Sequence, residues 1–158
     1  MARKRIYIGC ALTNLPLEWR EELPRQYNLL RDTLRQKKDE YEVLDFVGLI
    51  NGTSQDVARH DTSCVERCSL FVALCACPSI GLGYEIGVAT MLNKTVIAAV
   101  PKGVTVTRMV KGLDAVNPRH SFVEYGDVSE LVRMVDEYFN LPMPLLELLQ
   151  ISDRGIAA

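Results

Sequence analysis

Apolar residues fall along this chain in two alternating rhythms. Short unbroken runs, such as Leu70-Phe71-Val72-Ala73-Leu74 and Val96-Ile97-Ala98-Ala99-Val100, read as buried strands. Elsewhere apolar positions recur every three or four residues, as in Trp19, Leu23, Tyr27, Leu30 and Leu34, or Val128, Leu131, Val132, Val135 and Phe139. That spacing marks helices with one buried face. In chain order the pattern predicts strands over 5–10, 42–47, 70–75, 95–100 and 121–125. Helices are predicted over 17–38, 54 to about 68, 82–93, about 106–112 and 128–139. Pro24 kinks or divides the first of these, and Ser54 is the expected N-cap of the second. Asn51-Gly52 reads as a turn.

Strands alternate with helices, and the strands are apolar on both sides. The expected fold is therefore α/β: one doubly wound, flavodoxin-like or Rossmann-like domain with helices on both faces. Its five-stranded parallel sheet would have the order 2-1-3-4-5. Ligands of such sheets bind where the strand order reverses, here between the ends of strands 1 and 3. The loop after Cys10 and the loop after Leu74 should meet there.

The second of those loops draws the chemistry. Cys75 to Gly87 runs Cys-Ala-Cys-Pro-Ser-Ile-Gly-Leu-Gly-Tyr-Glu-Ile-Gly. It reads as a strand turning through glycines into a helix, with Glu85 in the helix's first turn and its charge favoured by the helix dipole. An ionised carboxylate beside a pocket is a candidate nucleophile or base. The pattern Gly81-x-Gly83-x-x-x-Gly87 is not a dinucleotide fingerprint, and Glu85 would repel a pyrophosphate. A structural reading of the same glycines is that they let the helix pack close to the strand. Asp61 reads on pattern as a solvated helix residue, His60 as a surface or capping histidine, and Tyr7 as a half-buried core tyrosine. Ser79 and Thr107 read as local capping hydroxyls.

Composition narrows the partners. The 158 residues carry a net charge of −2, which gives no basic footprint for a nucleic-acid polymer. No apolar run approaches the roughly 20 residues of a membrane span. The basic N-terminus leads into a run too short for a signal peptide's core, so the expected location is cytoplasmic. Four of the five cysteines, Cys64, Cys68, Cys75 and Cys77, fall close together, but not at the spacing of a structural zinc knuckle. They and Cys10 are expected to be reduced and largely buried, with no metal.

Tyr7 in a first strand, Asp61 in a helix and Ser79-x-Gly81-x-Gly83-Tyr84-Glu85-x-Gly87 together resemble the nucleoside 2-deoxyribosyltransferase superfamily. The similarity looks closest to its 2'-deoxynucleoside 5'-monophosphate N-glycosidase branch, runs from Arg5 to about Phe139, and is densest from Asp61 to Val100. The resemblance implies a deoxyribosyltransferase-like domain over 1–140. It leaves 141–158 as a leucine- and proline-rich tail that caps the sheet or contacts another subunit. It implies hydrolysis of (2'-deoxy)nucleoside 5'-monophosphates without cofactor or metal. Glu85 would be the nucleophile that forms a glycosyl ester, Asp61 the acid that protonates the leaving base or a group that helps hold the sugar, and Tyr7 the group that orients Glu85. Ser79 would meet the 5'-phosphate. Thr107 aligns with a hydroxyl lent by a neighbouring subunit, which implies a homodimer or larger homo-oligomer, and Arg108 could add charge. Gly9, Ala11, Phe46, Gly81 and Gly83 would complete the substrate pocket.

The first loop, Gly9-Cys10-Ala11-Leu12-Thr13, departs from the family's Gly-Ser-Ile-Arg type of sequence. Ala11 takes the serine position, Thr13 the arginine position, and Phe46 stands where the hydrolases have a histidine. An apolar loop also suits an unphosphorylated nucleoside, so a 2-deoxyribosyltransferase that exchanges bases is the alternative. A nucleotide-binding module without catalysis is a further one.

Overall fold

A computed structural model of the chain describes residues 3–13, 15–44 and 52–140. Five parallel strands form one sheet in the order β2-β1-β3-β4-β5. They are β1 (Lys4–Cys10), β2 (Tyr41–Leu44), β3 (Leu70–Leu74), β4 (Thr95–Pro101) and β5 (His120–Tyr125). The longer helices are α1 (Glu22–Gln36), α2 (Ser54–Arg67), α3 (Ile80–Met91) and α6 (Val128–Asn140). Two four-residue helices, α4 (Arg108–Lys111) and α5 (Leu113–Val116), lie between β4 and β5. The expected fold class and strand order are those observed.

The two-residue period of the strands sorts side chains to the two faces. Ile6, Ile8 and Cys10 pack with Leu23, Tyr27, Leu30 and Leu34 of α1 and with Leu131 and Val135 of α6. Tyr7 points the other way, into a second cluster with Cys64 and Val65 of α2 and Leu82, Ile86 and Ala89 of α3. A tyrosine among aliphatic neighbours is thus sent to the face that α2 and α3 cover.

Several local expectations change. The first helical segment is divided: a 3₁₀ turn, Leu17–Trp19, precedes α1. Pro24 is the third residue of α1, where its missing N–H costs no helical hydrogen bond. The N-cap of α2 is Thr53 and not Ser54. The Thr53 hydroxyl accepts from the Asp56 N–H, and Asp56 accepts from the Thr53 N–H in return. This reciprocal box needs an acidic or amide side chain three residues on, and Ser54 is followed at that distance by Val57. The helix α3 begins at Ile80, two residues earlier than expected, because Ser79 caps it by accepting from the Leu82 N–H at 3.2 Å. Strand β2 is seen over 41–44; positions 45–51, with Phe46 and Asn51, lie outside the described residues, as does the 141–158 tail.

Candidate functional site

The early start of α3 changes the glycine stretch. Gly81 and Gly83 are helical residues and not a turn, and Glu85 is the sixth residue of the helix. The dipole's favourable field is concentrated in the first turn, so Glu85 lies beyond most of it. Nor do the glycines serve close packing against the strand. A Cβ at Gly83 or Gly87 would meet nothing within 4 Å, and one at Gly81 would meet only the Ser79 hydroxyl at 3.9 Å. Their faces are open.

What α3 does supply is burial of one carboxylate. Ile86, Leu82 and Ala89 anchor the helix on the sheet, and Glu85 beside them is 8% exposed. The phenol of Tyr7, fully buried, donates a 3.1 Å hydrogen bond to Glu85 Oε1. Phe71 stacks on the Tyr7 ring, with centroids 5.2 Å apart, from its register position beside Tyr7 on β3. Gly9 follows Tyr7 on the same face. A Cβ there would stand 2.7 Å from Phe71 Cε2 and 2.8 Å from Glu85 Oε2. No side chain larger than hydrogen leaves the carboxylate its place.

Asp61 comes to the same point from α2. It is 8% exposed, which corrects its reading as a solvated residue. It neighbours both Glu85 and Tyr7, and its Oδ1 has no hydrogen-bond partner among the described residues. Two carboxyl groups are thus buried together beside Tyr7, Phe71 and Cys64. Burial first, and then the negative charge of Asp61, push Glu85 up to about 7. Burial also raises Asp61, against the pull of neighbouring His60. Tyr7 is held far above the ordinary phenol range by burial and by Glu85, so it stays a proton donor. Each carboxyl of the pair is thus held protonated to higher pH than it would be in water.

Next to this cluster lies a cavity of about 420 Å³ between α3 and the stretch that runs from Thr105 into α4. Ser79, Gly83 and Ile86 line one side, and Val106, Thr107 and Met109 the other. The capping reading of the two hydroxyls holds: Ser79 caps α3, and Thr107 Oγ1 accepts from the Val110 N–H to cap α4. Both also face the cavity of their own chain. Arg108 is exposed on α4. Ala11 does not face the site; it is packed in the cluster on the α1 side. Thiols surround the region without bridging: Cys10, Cys64, Cys68 and Cys75 are buried and Cys77 half-buried. No group of three or more His, Cys, Asp and Glu among the described residues could hold a metal ion.

Sequence reading did not assign Phe71, Val106 or Met109 to the site, and weighed Cys64 only as a metal ligand. Phe71 was concealed by the uniformly apolar strand it belongs to. The strand order would have revealed it, since β1 beside β3 sets Phe71 against Tyr7.

No family model matches the chain. A relative from Syntrophotalea carbinolica, provisionally named 2'-deoxynucleoside 5'-phosphate N-hydrolase 1, is 34% identical over 102 residues, covering 63% of this chain and 68% of the relative. The fold recurs in the CMP N-glycosidase BcmB of Clostridium botulinum, with a TM-score of 0.62 at 20% identity over 85% of this chain and 99% of that one. It recurs in BlsM, with a TM-score of 0.63 at 22% identity over 89% and 96% of the two chains. The 2-deoxyribosyltransferase of Bacillus psychrosaccharolyticus superposes with a TM-score of 0.54 at 14% identity, over 90% and 95%. No helix among the described residues is long and apolar enough to cross a membrane. The chain belongs to the nucleoside 2-deoxyribosyltransferase superfamily and is an enzyme of its glycosidase or pentosyltransferase kind.

Proposed function

We propose that the protein hydrolyses the N-glycosidic bond of (2'-deoxy)nucleoside 5'-monophosphates through a glycosyl ester on Glu85. The observation that carries this reading is the buried cluster of Tyr7, Glu85 and Asp61, with Asp61 Oδ1 unpartnered among the described residues. A buried carboxylate oxygen without a partner costs about 1–3 kcal/mol, a cost a bound substrate would offset. In the first step Glu85 Oε2 attacks the anomeric carbon while the bond to the base breaks. The base leaves as a neutral molecule by taking a proton from Asp61. Tyr7 donates to the other oxygen, Oε1, and so fixes which oxygen attacks. Positive character on the sugar in the transition state is stabilised by the same carboxylate. In the second step Asp61, now ionised, takes a proton from water as the water's oxygen bonds to the anomeric carbon. The ester bond breaks and Glu85 returns as a carboxylate. A carboxyl pair whose burial opposes full ionisation suits this exchange of one proton.

The N-terminus of α3 is the natural place for the 5'-phosphate. The N–H groups of Ile80 and Gly81 have no partner within the helix, and the Ser79 hydroxyl sits beside them. Thr107, across the cavity, would add a second hydroxyl, from its own chain or from a neighbour's. A homodimer fits the outer face of α3, where Ile80 and Met91 are 95% and 87% exposed, with Tyr84 between them.

One observation favours the transferase reading. Among the described residues the cavity lining includes no lysine or arginine to balance a phosphate dianion. Chromatography of products separates the two readings. Incubation with a deoxynucleoside monophosphate should release free base and deoxyribose 5-phosphate. If unphosphorylated nucleosides exchange their base with an added acceptor while monophosphates stay intact, the protein is a transferase. If Glu85→Ala retains turnover, the ester mechanism fails for both.

A further inference from the structure

The opposite end of the sheet carries a second, differently charged depression. It has a volume of about 520 Å³ and is lined by Arg3, Arg5, Arg67, Ser69 and Glu42. The fold assembles it from three places. Arg5 is the second residue of β1 and Arg3 immediately precedes the strand, and both line the depression. Arg67 is the last residue of α2, and Ser69 immediately precedes β3. The site cluster lies toward the other end of these elements. Asp61 is six residues earlier on α2, about 9 Å along its axis.

Charge at this depression is unbalanced, with three guanidinium groups facing one carboxylate. Glu42, the register neighbour of Arg5 on β2, pairs with it at 3.1 Å. Arg67 is oriented without being neutralised. Its Nε donates to the Ser63 carbonyl at 3.3 Å, and its Nη2 reaches Cys64 Sγ at 3.8 Å. Arg3 has no hydrogen bond or ion pair among the described residues. The Ser69 hydroxyl oxygen accepts from the Arg5 N–H at 3.4 Å, which leaves its proton to be donated. A planar guanidinium fork matches the spacing of phosphoryl oxygens, and arginine is favoured wherever such groups are held in two-point contact. The volume lies within the range of small-molecule sites.

We propose that this depression binds a phosphate-bearing small molecule, held by Arg3, Arg67 and the Ser69 hydroxyl. The site is independent of the chemistry assigned to Glu85. It is also separate from the α3 N-terminus, where a substrate phosphate would sit.

Isothermal titration of the full chain with inorganic tripolyphosphate at low ionic strength tests it. The expected result is saturable binding with one site that weakens about tenfold or more in both Arg3→Ala and Arg67→Ala. That arginine-dependent site should be unchanged in Ser79→Ala, which alters only the α3 site. Arg3 has no partner to lose among the described residues, so Arg3→Ala should fold normally even if Arg67→Ala does not. Absence of binding, or affinity indifferent to Arg3→Ala, would overturn the proposal. So would loss of binding in Ser79→Ala. Arginine-dependent binding of poly-glutamate without binding of tripolyphosphate would overturn it in favour of an acidic protein partner.

Discussion

Glu85 is ionisable in a place that disfavours its charge, and the disfavour has measurable consequences. Its folded pKa, about 7, stands above the ordinary 4.5. The folded state therefore holds the proton that the unfolded state has released. Between these two values stability falls as pH rises, by up to about 3 kcal/mol in total. Glu85→Gln removes that loss. It should abolish turnover, raise the melting temperature relative to the parent at pH 8, and leave it nearly unchanged at pH 4; thermal unfolding at both values measures this. Tyr7 acts in the other direction, because its hydrogen bond lowers the Glu85 pKa. Tyr7→Phe keeps the ring stacked on Phe71 and removes the donor. The acid limb of kcat/KM should then move to higher pH, and a pH–rate profile that did not move would remove Tyr7 from its assigned role. Gly9 is the steric counterpart. With Phe71 fully buried, a methyl at position 9 has no room to be accommodated. Gly9→Ala should cost about 1–3 kcal/mol by overpacking and displace the carboxylate, seen as a loss of kcat with a lowered melting temperature.

At the scale of elements, α3 is the helix whose sequence was hardest to read. It is apolar nearly all round, so no polar stripe tells which side is buried. Glycines at 81, 83 and 87 suggested a loop where the helix had already begun. A cap is a tertiary fact as much as a local one: Ser79 serves because β3 ends at Leu74 and the chain must turn. Asp61 posed the converse problem. Its neighbours on α2 are mostly polar, and only the placement of α2 over Tyr7 and Glu85 shows that it is buried. Resemblance reached these residues where periodicity alone could not. The outer face of α3 now poses a question that helix spacing can answer. Ile80, Tyr84, Gly87 and Met91 recur every three or four residues and are exposed, forming an apolar stripe broken by an open glycine. Glycine there permits close approach by a second helix. If two copies meet along this stripe, Tyr84→Glu together with Met91→Glu should convert a dimer to monomers in light scattering. A parent protein that is monomeric at micromolar concentration would remove the idea.

For the whole molecule, the strand order was legible because chain connectivity and apolar runs leave few parallel arrangements, and the site's location followed from that order. What the pattern could not give was the protonation of groups that the sheet buries at its two ends. His120 opens β5 at the edge opposite Glu85. It is 3% exposed, and neither ring nitrogen has a partner among the described residues. Desolvation lowers its pKa below the ordinary 6.5. As pH falls through 6.5 the unfolded chain takes up a proton that folded His120 refuses, so stability is lost toward acid. Glu85 produces the opposite slope over an overlapping range, from 4.5 up to about 7. Each group alone contributes at most about 1.4 kcal/mol per pH unit. The parent's unfolding free energy, measured by urea titration, should therefore combine two slopes of opposite sign. Glu85→Gln should expose the histidine, giving stability that climbs with pH through 6. His120→Leu should expose the carboxylates, giving stability that declines over the same interval. Parallel pH profiles for the two variants would show that one of these buried groups titrates in the fold as it does in water.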